Sequence, residues 1–113
     1  VLESVTSKAL ESALDGLSMR QKAIANNIAN INTPGYTAER VSFEDALAAS
    51  VDAGNGSAAP SMSRSMEPTR EDGNNVNLDT ETLSNTTTVL QYQFATQAEN
   101  NVLTSVRAVL KNS

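Results

Sequence analysis

The sequence predicts a mainly α chain: two long terminal helices forming an antiparallel, coiled-coil-like hairpin around a loop-rich or short extended middle, with the core completed by assembly. Three observations predict it. An apolar heptad runs through the first third of the 113 residues, a second apolar stripe runs through the last third, and a stretch rich in small residues and turn formers separates them. Residues 1–33 then supply the first helix of one core domain, 34–77 a turn, loop and low-complexity middle, and 78–113 the second helix of the same domain.

The first helix is expected over about 5–32. Leu10, Leu14, Leu17, Ile24, Ile28 and Ile31 recur in alternating steps of four and three, with Gln21 filling the one gap, which is a heptad seam. Ser4, Thr6 and Ser7 offer caps, and Pro34-Gly35 ends the pattern because proline lacks the next backbone donor. The second helix is expected over about 80–111, with Asp79 as cap and Leu78 and Leu83 spaced as a hydrophobic staple. Its stripe is Leu83, Leu90, Phe94, Ala98, Val102, Val106 and Val109. Between the helices, Ala46 to Asn75 has no sustained period and reads as linker or short extended segments. Two such helices cover only one face of each other, so neighbours are needed to complete the core. Gln21 and Gln97 either pair across a packed interface or mark a hydrated gap.

Composition narrows function. The net charge is −5, without the clustered Lys and Arg that grip nucleic acid or anionic lipid. There is no cysteine and no histidine, which removes thiol chemistry and the usual neutral-pH base and metal ligand. Glu71 to Asp79 places oxygen ligands at alternate positions, but the glycine and glutamate of a calcium loop are out of register. The carboxylate pairs Glu44-Asp45 and Glu71-Asp72 lack a pocket to divide their acidities. No enzyme, metal, cofactor or small-molecule substrate is expected. The opening residues lack the basic start and apolar core of a cleavable signal, and no run reaches the ~20 apolar residues that span a bilayer.

The stretch ANNIANINTPGY, Ala25 to Tyr36, holds four asparagines in seven residues, poor helix formers on a helical pattern. At about 100° per residue, Asn26, Asn27 and Asn30 lie broadly opposite Ile24, Ile28 and Ile31. They are either solvated or face a partner chain, where their amides would fix register. The string NNIANINTPGY resembles the N-terminal signature of the bacterial flagellar rod and hook axial proteins. Thr33, Pro34, Gly35 and Tyr36 match that family's turn, and DGNNVNLDTE and LQYQ continue the likeness into the last third.

The resemblance implies a structural subunit of the flagellar rod in the basal body, lying in the cell envelope or periplasm after export from the cytoplasm. It also implies as partners copies of itself, other rod proteins, a FliE-type junction protein, the membrane ring and the flagellar type III export gate. Partner contacts are then expected at Leu10, Leu14, Leu17, Ile24, Asn26, Asn27, Ile28, Asn30, Ile31, Leu90, Phe94, Val102 and Val106. Phe43 and Leu47 in FEDAL have the Phe-x-x-x-hydrophobic form that rod and hook subunits use at the export gate, although a pair four apart equally makes one apolar patch on a helical turn. A soluble helical adaptor, binding one partner through the Leu10–Ile31 seam, is the alternative.

Overall fold

A computed structural model describes residues 2–111; Val1, Asn112 and Ser113 fall outside it. In chain order the elements are α1 (Leu2–Ala29), β1 (Glu39–Ser42), α2 (Glu44–Asp52), β2 (Ser61–Arg64) and α3 (Leu78–Lys111). The start of α3 meets the end of α1, through Asn27 and Glu81, while Ala95 packs near Leu10 and Leu17. The two long helices are therefore antiparallel neighbours, as the sequence predicts, in a body 66 × 25 × 14 Å.

The helix limits differ from expectation for local reasons. Already helical from Leu2, α1 leaves Thr6 and Ser7 inside it rather than as caps, and the side chain of Ser4 lies outside the described ones. It stops at Ala29 because the next amides tighten into three-residue turns: Asn30 N–H is shared between the Asn26 and Asn27 carbonyls, and Thr33 N–H donates to Asn30 O at 3.0 Å. At the other end, Asn77 rather than Asp79 caps α3, its Oδ1 accepting the Thr80 N–H at 3.2 Å. Asp79 sits in the first turn, where its charge suits the helix N-terminus. Leu78 and Leu83, the expected staple pair, are both exposed.

The middle is more ordered than a linker. β1 and β2 form an antiparallel pair in the register Glu39↔Arg64 to Ser42↔Ser61. Between them α2 carries Glu44 and Asp45 in its first turn, favourable to the dipole, and terminates before Gly54 at φ +81°. None of the residues of α2 is fully buried, so it leaves little hydrophobic period to read.

A small core lies where the hairpin meets α1. Leu17, Ala23, Val41, Phe43 and Ala95 form it, with Leu10, Ala13, Leu14 and Leu47 packed around. The Phe43 ring lies directly over Gly16, where a Cβ would overlap three ring carbons. The segment before β2 straps across α1: Ser12 Oγ donates to Gly56 O at 3.1 Å and accepts from Ala58 N–H at 3.2 Å. Gly56, at φ +80°, faces the Val5 carbonyl with no room for a side chain.

Candidate functional site

Two features stand out: a buried polar joint at the end of α1, and an apolar stripe on the outside of α3. The joint begins with Asn27, which is fully buried. Its Nδ2 donates to Glu39 O at 3.0 Å and to Glu81 Oε2 at 3.1 Å. Its Oδ1 accepts the Glu39 N–H at 2.7 Å and the Tyr36 hydroxyl at 3.2 Å. One amide thus engages both backbone groups of a strand residue, as a neighbouring strand would, and ties them to α3. Glu81, also fully buried, places its other oxygen 2.7 Å from Arg40 Nη1. A buried carboxylate is tolerable only when so satisfied.

The segment DGNN closes the joint from the other side. Asn74 Nδ2 donates to Asn30 O at 2.8 Å and Thr33 O at 2.9 Å, adding a second bond to two carbonyls of the turn that follows α1. Asn75 Oδ1 accepts the Ala38 N–H at 2.7 Å, while its Nδ2 donates to Ser65 O and Glu67 O. Arg70 reaches Ile31 O at 2.5 Å and Val76 O at 2.6 Å. Gly35 N–H donates to Asp72 O at 2.8 Å, and Gly35 and Gly73, both at positive φ, pass close together. The Thr33–Tyr36 turn is therefore held by the residues just ahead of α3.

Each expected contact residue can now be placed. Leu17 and Ile24 are buried in the chain's own fold, Leu10 and Leu14 are half-buried against the core, Ile31 is half-buried and Ile28 is exposed. The three asparagines separate. Asn27 faces inward and serves the fold, a correction to its expected place on a partner, because its amide is engaged by Tyr36, Glu39 and Glu81. Asn30 bonds within its own turn, to Asn26 O and Thr33 Oγ1, and Asn26 is exposed. Thr33, Pro34 and Gly35 are exposed and Tyr36 is half-buried beneath Arg64, whose guanidinium lies 5.1 Å from the ring centre. Phe43 is buried, Leu47 half-buried. Gln97 donates to Asn101 on its own helix and does not reach Gln21.

The stripe of α3 also departs from expectation. Facing α1 are Glu81, Thr88 and Ala95, all buried, with Val102 half-buried in the same seven-residue step. Glu99 turns one carboxylate oxygen into that seam without a hydrogen-bond partner. Leu83 and Leu90, each two residues beyond a buried position, project about 200° around the helix, and Phe94 joins them. They are 69%, 61% and 77% exposed, and Val106 is exposed as well. The stripe is thus two arcs, and its larger side chains face outward. Beside Phe94, a groove of about 230 Å³ between the long helices is lined by Leu10, Ala13, Leu17 and Phe43.

Sequence reasoning missed Gly16, Arg20, Arg40, Asn74, Asn75 and Glu81. Arg20 lies 4.9 Å from the centre of the Phe43 ring and grips both oxygens of Glu44 at 2.8 Å. That contact holds the Glu44 carboxyl down at about 2 despite partial burial. The seven-residue phase of Glu81 with Thr88, Ala95 and Val102 was the available signal for the true inner face of α3.

Among the described residues no acidic cluster could hold a metal ion, and no helix is long and apolar enough to cross a membrane. The arrangement is a braced hairpin with an outward apolar face. A family model described as flagella basal body rod protein matches residues 8–37, the seam and the asparagine turn together. The flagellar basal body rod protein FlgB of Bacillus subtilis (strain 168) is 32% identical over 123 residues, covering 96% of this chain and 95% of that protein. The protein of the same name from Borreliella burgdorferi is 53% identical over 34 residues, covering 30% of this chain and 25% of that protein. With nearly its whole sequence aligned to one rod protein and its N-terminal signature matched by the family model, this chain belongs to the flagellar basal body rod protein family and is a structural subunit of that rod.

Proposed function

We propose that this subunit builds the proximal rod by polymerising with copies of itself and with other rod proteins, and that its work is mechanical, transmitting torque without catalysis or cofactor. The observation that carries this is the outward stripe of Leu83, Leu90 and Phe94, three large apolar side chains left exposed on a helix that buries Glu81 and Thr88. A self-sufficient fold would bury them. The seam from Leu10 to Ile24 is largely used inside the chain, which weighs against an adaptor that would offer it to a partner helix.

The chain reaches the envelope, in this reading, unfolded through the flagellar type III apparatus, with Phe43 and Leu47 engaging the export gate before they enter the core. A FliE-type junction protein and the membrane ring are its neighbours at the base. Replacing Leu83 and Leu90 by Asp tests the assembly reading. Secretion of the variant in cells lacking a rod should persist, while rod completion and motility are lost. Normal motility would exclude the stripe as a contact.

A further inference from the structure

Hydrophobicity alone would seat α3 the other way round. Its inner face carries Glu81, Thr88 and Ala95, whereas Leu83 and Leu90 are exposed and Phe94 stands exposed at the groove beside α1. What holds this inverted orientation is local. Glu81 is bound by Asn27 of α1 at 3.1 Å and by Arg40 of β1 at 2.7 Å, so turning α3 would strip a carboxylate of both partners or carry it away from them. Thr88 and Ala95 add no comparable bond across the seam. We infer that Glu81 is a rotational key: its buried carboxylate fixes which face of α3 packs inward and thereby keeps Leu83, Leu90 and Phe94 outside for a neighbouring copy.

The key's own role stands on the joint geometry, while the identity of what covers the stripe rests on the assembly reading above. A second copy is the occupant because the stripe runs on into the apolar groove between the long helices, the same surface that each copy in a repeating axis presents. Removing Glu81 strands little. Arg40 is partly exposed and has Glu67 at 3.8 Å, and Asn27 retains Glu39 and Tyr36. A leucine at position 81 would leave α3 free to turn its leucines onto α1, closing the core within one chain. Glu81 is thus a positioning residue that trades stability of the single subunit for an available surface.

The chain has no cysteine, so Leu90→Cys in the full-length chain gives a unique thiol whose labelling rate reports the exposure of the stripe. With Glu81 intact that thiol reacts freely. With Glu81→Leu added, labelling should slow by about tenfold as local protection appears, and the helical circular dichroism of the isolated chain should hold or increase. Glu81→Gln, whose single amide oxygen can accept from Asn27 or from Arg40 but not from both, should bring labelling back part of the way toward the fast rate. Loss of helicity in Glu81→Leu, or an unchanged labelling rate in a folded variant, would overturn the key and leave Glu81 an ordinary stabilising contact. In cells, Glu81→Leu without the cysteine should fail to complete rods. A variant that protects position 90 yet still builds rods would keep the key and overturn the stripe as the surface for a neighbouring copy.

Discussion

Changing Asn27 and Asn26 singly to alanine should have opposite effects, although the two are adjacent on one helix. Asn27→Ala removes two donated and two accepted hydrogen bonds, to Glu39, Glu81 and Tyr36. Tyr36 is only half-buried, so its hydroxyl can turn to water, whereas the Glu39 backbone pair and one Glu81 oxygen lose partners in a more buried site. At about 1 kcal/mol for each of these three groups, the loss is roughly 3 kcal/mol, against about 0.6 kcal/mol regained from alanine's better helix propensity. The net cost of about 2–3 kcal/mol outweighs the gain severalfold. Asn26 is exposed, so Asn26→Ala keeps only the propensity gain. Urea titration followed by circular dichroism, with an excluded osmolyte to populate the folded state, should place the Asn27→Ala midpoint about 2 M lower, since a chain this small loses about 1 kcal/mol per molar urea. An Asn27→Ala chain as stable as Asn26→Ala would refute the assignment of Asn27 to the interior.

Gly16→Ala should destabilise the chain although alanine favours helix by about 1 kcal/mol, because its methyl would overlap the Phe43 ring and overpacking costs about 1–3 kcal/mol; the same urea titration reads it. Glu44 is held at about 2 against an ordinary 4.5 by Arg20, so the stability it contributes is present above pH 4.5 and lost as pH falls toward 2. Its side chain is 56% exposed, which limits the contribution to under about 1 kcal/mol after screening, and the difference between wild type and Glu44→Gln should close over that interval. Phe43→Ala with Leu47→Ala should lower secretion in cells without a rod if the pair engages the export gate as proposed above; normal secretion with failed incorporation would make the pair a purely structural contact.

The sequence showed the seam from Leu10 to Ile24 and the two-helix plan because repeated apolar spacing survives without knowledge of the partner. It also showed the turn at Thr33–Tyr36, since proline and glycine act locally. The inner face of α3 was illegible for a physical reason: its leucines and phenylalanine follow the side left open, while the packed side is marked only by Glu81, Thr88 and Ala95. Asn27 was visible as an unusual residue, but an amide's partners are set by tertiary proximity, here across 9 to 54 residues of chain. Gly16 gave no signal, because a glycine inside a helix is explained only by the ring that lies over it.

Cryo-electron microscopy of isolated basal bodies, at a resolution that shows side chains, bears most directly on the chain's place in a rod whose subunits complete one another's cores. Leu83, Leu90 and Phe94 should lie against a neighbouring subunit, with Asn27, Glu81 and Arg40 still joined within each copy. A rod in which that stripe faces open solvent, or in which Glu81 bonds to a neighbour instead of to its own Asn27 and Arg40, would contradict it.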